Sequence, residues 1–388
     1  MGVLRTYLAL CVIAGHSSHF VFPWPAHGGI QAVQIFFVIS GFYMALVSPK
    51  YASALEFYVS RLLRILVPYW AVLATVTLGW TLTGVLLGNW GRLAPYVNYA
   101  PEQNGFAGVA FTTLANLVLF FQDWVLFLSH GVGEGLRFTL DYRNNDFPLF
   151  RFLVIPQAWS VGVELTFYLF VPLIARLSNR ALWALVGLSL ACRVVGYEVF
   201  GLNHDPWTYR FFPFELATFG LGMLSCRYYL RWKPLLARRI PSHAKISPLR
   251  YVGLVVTFLG FFLVAKVTTA VAAKFMGADY AELLSHFGWA VAIPFLFHVC
   301  ERVRWDRYIG DLSYPIYLVH FFTIWVVRAV IAYAHVPAAL LGEISALASI
   351  GFAVFLVALV VGPLDKVRYA LAKGMAAKAV RPQLQSKN

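Results

Sequence analysis

The chain has 388 residues, of which 60% are hydrophobic and 12% charged, and it carries a net charge of +14. A soluble domain is about 25% charged, so a composition this apolar along nearly the whole length excludes a soluble domain with a single anchor. The excess charge does not mark a nucleic-acid binder, because Lys and Arg fall in short loops between apolar runs, where positive-inside bias puts them.

The first apolar run, Leu4 to Phe22, carries Arg5 near its start, His16 inside, and His19 one turn further on. Between positions 5 and 16 a helix makes three turns plus roughly 20°, so Arg5 and His16 share a face about 16 Å apart along the axis. A span entered from the Arg5 side puts His16 near the middle of a ~30 Å hydrocarbon layer. The run is too long for the core of a cleaved signal, and Pro23-Trp24-Pro25 follows it, so the helix is expected to be retained.

The second run is Ile30–Val47, and the third runs from about Leu62 to Leu87 behind Lys50, Arg61 and Arg64. Seven more follow: Gln157–Ala175, Ala181–Val199, Phe212–Leu230, Tyr251–Thr269, Leu283–Val299, Leu312–Tyr333 and Ala338–Val361. An eleventh, Gly108–Leu128, contains Asn116, Gln122 and Asp123, and parity decides it. If it crosses, the most basic loop, Arg231–Arg250, falls opposite Arg61 and Arg64; if it does not, most of the 31 Lys and Arg lie on one side. The prediction is an all-α polytopic transmembrane bundle of ten spanning helices, with 108–128 re-entrant or interfacial and both termini cytoplasmic. Residues 1–364 form one transmembrane domain, with an external region at 87–156, a basic cytoplasmic loop at 231–250 and a basic cytoplasmic tail at 365–388. The external region is rich in Gly, aromatics and amides (Asn98-Tyr99, Asn144-Asn145-Asp146) with nearly balanced charge, which suits a neutral polar ligand such as a sugar.

Cys11, Cys192, Cys226 and Cys300 lie in or at the ends of apolar runs, without a Cys-x-x-Cys or a His pair at ligand spacing. They read as small core residues, and neither disulfides nor a metal site is expected.

Four polar constellations interrupt the apolar runs. Arg61 and Arg64, at i and i+3, form one cationic patch whose planar forks suit phosphate. With Arg5 on the same side they fit a phosphate-bearing cytosolic donor; positive-inside anchoring explains them equally. His16 as a buried neutral imidazole has the chemistry of a general base toward a hydroxyl, or of a hydrogen bond to a neighbouring helix. Ser160, Glu164 and Tyr168 recur at i, i+4 and i+8 behind Trp159, and an intramembrane carboxylate is costly unless it is paired or functional. Ser313, Tyr317 and His320 form a second stripe. Pro172, Pro294 and Pro315 mark kinks or helix starts.

Five motifs in order resemble the acyltransferase-3 family of bacterial integral membrane acyltransferases. They are Leu4-Arg5 with His16 at Arg-x10-His spacing; Phe36-Phe37-Val38-Ile39-Ser40-Gly41-Phe42; Arg61-x-x-Arg64 with Pro68-Tyr69; Trp159-Ser160 with Glu164 and Phe167-Tyr168; and Leu312-Ser313-Tyr314-Pro315 with Tyr317-Leu318 and His320. The resemblance implies O-acylation, most commonly acetylation, of a cell-surface or lipid-linked carbohydrate by cytosolic acyl-CoA in a bacterial inner membrane. No bound cofactor is implied; acyl-CoA is a substrate, and the other partners are the carbohydrate or glycolipid acceptor and the lipid bilayer. It makes His16 and, with it, Glu164 the catalytic candidates. Arg5, Arg61 and Arg64 are assigned to the acyl-CoA, and Ser40, Trp159, Tyr317 and His320 to supporting roles. Two positions depart from the family pattern: Gln34 stands where Asp is common, and Leu165 where Glu commonly follows the motif glutamate. The competing reading is a proton-coupled transporter of a small polar solute, which the intramembrane His and Glu also suit.

Overall fold

Backbone N–H and C=O groups find no water in hydrocarbon, so an apolar run that meets lipid has to satisfy them by coiling into a helix. The computed structural model of the protein describes residues 1–17, 20–21, 28–98, 106–131, 135–144, 147–239, 248–301 and 303–367, and in it each of the ten runs contains a helix. We label them α1 (Gly2–His16), α2 (Gly29–Val47), α3 (Ala54–Leu87), α5 (Trp159–Ile174), α6 (Asn179–Phe200), α7 (Phe212–Arg239), α8 (Pro248–Met276), α9 (Ala278–Cys300), α10 (Arg304–Tyr333) and α11 (Leu341–Leu356), with α4 (Phe106–Val118) in the doubtful segment. Seven of them, α2, α3, α5, α6, α9, α10 and α11, are long and apolar enough to cross a membrane. The protein is therefore a multi-pass helical membrane bundle, with α1 a shorter apolar helix and α7 and α8 outside the seven.

Three boundaries differ from expectation. The first run stops being helical at His16 instead of continuing to Phe22: Ser17 closes the helix with its N–H on the Ile13 carbonyl at 2.9 Å. His16-Ser17-Ser18-His19 is a run of poor helix formers, and it outweighs the apolar residues beyond it. Helix α3 starts at Ala54, so Arg61 and Arg64 lie two to three turns inside it. Its start is a capping arrangement in which Ser53 accepts from Glu56 N–H at 3.1 Å and the Glu56 carboxylate accepts from Ala52 N–H at 2.8 Å.

Segment 108–128 is not one helix. α4 ends at Val118, and the chain then turns through Trp124–Phe127 into an antiparallel hairpin, β1 (Leu128–Gly131) with β2 (Gly135–Phe138), so the fold is not purely α. Asn116 and the Gln122 amide N–H of this segment are spent on neighbouring chain, whereas Gln122 Oε1 and Asp123 Oδ1 are buried without a partner. Asn116 donates to the Phe152 carbonyl at 2.8 Å and accepts from Val154 N–H at 3.1 Å, and Gln122 donates to the Tyr69 hydroxyl at 2.9 Å. Packing on protein in this way supplies partners to part of the polar content of an irregular segment. His19, the Pro23-Trp24-Pro25 stretch, Tyr99, Asn145-Asp146 and the tail from 368 lie outside the described residues.

Two close helix pairs organise the centre. α2 and α7 meet backbone to backbone: a Cβ on Gly41 would lie 2.0 Å from the Phe219 carbonyl oxygen, and one on Gly222 2.0 Å from that of Val38. Small residues at a crossing allow this approach where hydrophobic driving force between membrane helices is weak. α1 and α10 run parallel. Asp306 accepts from the N–H groups of Gly2 (2.8 Å) and Val3 (3.0 Å), which are amides a helix start leaves unpaired, and Thr6 donates to the Ile309 carbonyl at 2.7 Å. α10 is fixed to α11 in turn by the Thr323–Ser349 hydroxyl pair at 2.6 Å. None of the four cysteines is bridged; Cys11 and Cys226 are buried as expected, whereas Cys192 is exposed and Cys300 half-buried.

Candidate active site

Both polar stripes read from the sequence face one cavity of ≈ 610 Å³. Ser160, Glu164 and Tyr168 reach it from α5, Ser313 and Tyr317 from α10, and Ser40 from α2. Arg5, Arg61 and Arg64 line it as well, so three arginines from two distant parts of the sequence share one space. Lys50, Arg307 and Lys233 line it too; Lys233 belongs to α7, which stays helical to Arg239 where a loop from 231 was expected, and 240–247 lie outside the described residues.

The arginines are weakly engaged. Arg61 donates to the Tyr51 hydroxyl at 2.6 Å and leaves its Nε without a partner. Arg64 approaches Asp311 at 3.5 Å, and Arg5 makes no hydrogen bond or ion pair among the described residues. Guanidiniums held beside a cavity without saturating partners retain the donors that an anionic group would take up. Lys233 is different: it is paired with Glu301 at 2.7 Å.

Glu164 is the acceptor at the centre of the α5 stripe. Its Oε1 takes the Ser40 hydroxyl at 2.5 Å and the Tyr168 hydroxyl at 2.6 Å. Both hydroxyl donors converge on this one oxygen, and the residue as a whole lines the cavity. Ser40 is thus a partner of Glu164.

The cavity ends against a tight polar knot. The Tyr317 hydroxyl donates to the Gln157 carbonyl at 2.6 Å and pairs with the Ser160 hydroxyl at 2.7 Å, while Gln157 Nε2 donates to the Leu318 carbonyl at 2.6 Å. Behind it stands His320, fully buried, whose Nδ1 lies 2.6 Å from the Tyr317 carbonyl. A carbonyl only accepts, so Nδ1 carries the proton and a neutral ring keeps its lone pair on Nε2, which has no partner. His16 stacks on His320 with ring centroids 5.3 Å apart and on Phe321 at 4.5 Å.

His16 and His320 therefore sit together, but neither lines the cavity, and His16 is exposed at the end of α1 instead of buried inside a longer helix. Trp159 does not line it either. Its ring packs against Tyr209 at 5.5 Å and carries the Arg210 guanidinium at 4.4 Å. Arg210 is ion-paired to Asp205 at 2.6 Å. Burial raises the Asp205 carboxyl, but the Arg210 charge and its hydrogen bonds outweigh it and hold the group below the usual carboxylate range.

Sequence reasoning missed Gln157, Asp306, Arg210 and the pair Arg193–Glu215. The last had a visible signal, a charge inside an apolar run. Arg193 and Glu215 are almost fully buried and 2.7 Å apart, and Gln34 Nε2 donates to the same Glu215 oxygen at 2.9 Å. This accounts for the departure at position 34: a carboxylate there would face Glu215, whereas the amide supplies a donor.

Comparison with known proteins identifies the family of the chain. The family described as an acyltransferase domain, acyltransferase-3, matches residues 1–362. An uncharacterised protein of Aquifex aeolicus (strain VF5) is 26% identical over 232 residues, covering 56% of this chain and 91% of that protein. No solved structure matches the chain significantly. With the match spanning nearly the whole bundle, from α1 to the turn after α11, the chain belongs to the acyltransferase-3 family and is a multi-pass membrane acyltransferase.

Proposed function

We propose that the protein transfers an acyl group, most simply acetyl, from cytosolic acyl-CoA to a hydroxyl of a cell-surface or lipid-linked carbohydrate, across a bacterial inner membrane. The observation that carries this reading is the single cavity with three under-engaged arginines and a polar end wall backed by a histidine pair. In this reading the CoA phosphates meet Arg5, Arg61 and Arg64, whose paired donors suit phosphate oxygens, and the thioester lies toward Ser160 and Tyr317. The arginine side is cytoplasmic, as positive-inside bias requires, and both termini are on it.

Transfer then runs between the end wall and the histidines. A neutral imidazole of His16 takes the acceptor O–H proton as the oxygen attacks the thioester carbonyl. The tetrahedral intermediate collapses with cleavage of the C–S bond, and the proton passes to the departing thiolate, giving ester and free CoA thiol. General-base help of this kind is typically worth about 10²–10⁴-fold. Because Tyr317 and Ser160 separate the cavity from His16, the acyl group has to pass between them, and an acyl-histidine formed on His16 is the alternative route. The Glu164 carboxylate keeps the cavity wall polar and charged beside that path.

The test is release of CoA thiol from acetyl-CoA by protein in lipid nanodiscs supplied with extracted surface glycan. Folded His16→Ala loses turnover by about 10²-fold or more; near wild-type release by that variant overturns the assignment. Arg61→Ala with Arg64→Ala raises the donor requirement and spares that for the acceptor, and an unchanged donor requirement contradicts phosphate docking.

A further inference from the structure

We infer that a second cavity, at the His16 end of the bundle, is the binding site for a neutral polyhydroxylated ring, the sugar of the acceptor. The inference rests on the reaction proposed above for its meaning, and on separate residues for its chemistry. The cavity measures ≈ 340 Å³ and is walled by Arg193 and Tyr197 of α6, Asp279 and Glu282 of α9, and Asn203, His204, Asp205, Thr208 and Tyr209 between α6 and α7; Arg143 also lines it but is paired with Asp205 at 2.7 Å. Its volume is at the small end of ligand pockets, which run about 300–1,000 Å³.

Its position follows from contacts. Ile30 also lines it, and Ile30 adjoins Gly29, whose backbone nitrogen is 3.4 Å from where a Cβ on Gly15 would sit, next to His16. On the other side the Tyr209 ring meets Trp159, and Trp159 precedes Ser160, whose hydroxyl holds Tyr317 on the first cavity. A chain of contacts thus links the two cavities, from Tyr209 through Trp159 and Ser160 to Tyr317, and the Tyr317 ring lies 5.7 Å from that of His320.

The lining chooses the ligand. The carboxylates of Asp279 and Glu282 make no hydrogen bond or ion pair among the described residues. Arg193, whose side chain is 3% exposed, spends Nη2 on Glu215 and the Phe214 carbonyl and leaves Nε without a partner. The wall therefore offers unused acceptors, an unused buried donor, an amide and two phenol rings. A hydroxyl both donates and accepts, so a polyol answers this mixture, and tyrosine rings cover its apolar faces. An acyl chain would leave every one of these groups unpaired, and a phosphate would meet carboxylates. Nor is a cation favoured: no cluster of three ligating side chains occurs among the described residues.

The experiment is saturation-transfer NMR on the full chain in nanodiscs, with methyl glycosides of glucose, galactose and N-acetylglucosamine as probes. At least one glycoside should receive saturation from the wild type. The signal should weaken about tenfold or more in Asp279→Asn with Glu282→Gln, since each lost charge-assisted bond is worth about that factor. Asn203→Trp, which fills the cavity from the loop without removing a charge, should abolish it and so decides the matter if the acidic variants misfold. Undiminished binding in Asn203→Trp, or no binding of any of the three by the wild type, overturns the inference. If thiol release instead proves independent of His16, the proposed reaction falls while glycoside binding stands, so the two fail separately.

Discussion

Glu164 allows the sharpest separation of a chemical role from a supporting one. Its Oε1 holds two hydroxyls, from Ser40 and Tyr168, and the residue lines the first cavity. Hydrogen bonds to a charged group are worth about 1.5–3 kcal/mol each when both ends are buried. Here the freed hydroxyls can turn to water in the cavity, so Glu164→Ala should cost about 1–3 kcal/mol in all. Glu164→Gln keeps the shape and an acceptor oxygen for both donors but loses the charge, which roughly halves each bond and limits the loss to about 1–2 kcal/mol. Thermal unfolding in detergent measures both losses, and CoA thiol release measures turnover. If the carboxylate takes part in proton movement, Glu164→Gln stays folded and loses about 10²-fold or more in turnover. Turnover within a few-fold of wild type in a folded Glu164→Gln would refute a chemical role and reduce Glu164 to holding Ser40 and Tyr168.

Four further outcomes follow from other parts of the bundle. Gly41→Ala should drive α2 and α7 apart, because the new Cβ falls 2.0 Å from a backbone oxygen, and should cut folded yield on size exclusion. Gly187→Ala, with nothing within 4 Å, should be neutral or stabilising by up to about 1 kcal/mol. Asp205 has a folded-state value below the ordinary one near about 3.9, so its contribution is complete above that pH and is lost as acid titrates through the lowered value. Asp205→Asn should then flatten the acid limb of the stability curve below about pH 4; identical acid limbs would contradict the ion pair's role. Finally, Cys300 lines the first cavity. In a Cys192→Ala background its maleimide labelling should slow when CoA is added, and unaltered labelling would count against donor occupancy there.

Much of this was legible in the chain. Hydropathy located all ten helical runs because lipid imposes one rule on every residue it touches. The i, i+4 spacing that put Ser160, Glu164 and Tyr168 on one stripe is local geometry, and local geometry survives folding. What escaped is long-range. Nothing near Asp306 says that its carboxylate will cap a helix some 300 residues away, and nothing near Trp159 says that it will carry Arg210. The end of α1 at His16 escaped for a different reason: apolar residues resume beyond the Ser pair, so hydropathy continued where helix propensity did not. Arg5 and His16 were read correctly as lying on one helix, but the wall between His16 and the arginine-lined cavity depends on Tyr317 and Gln157, which come from other segments.

The parallel pairing of α1 with α10 has a consequence for biosynthesis. Gly2 meets Asp306 and His16 meets His320, both across the same interval of chain. At about 5–20 residues per second, α10 leaves the ribosome roughly 15–60 s after α1. For that period the first helix has no cap for its leading amides and no partner for its terminal imidazole. The histidine pair is consequently among the last features to assemble, so incompletely inserted chains lack it. On the reaction proposed above, a half-made enzyme with a formed arginine patch would be able to collect donor without a means of spending it, and completion of α10 would end that condition.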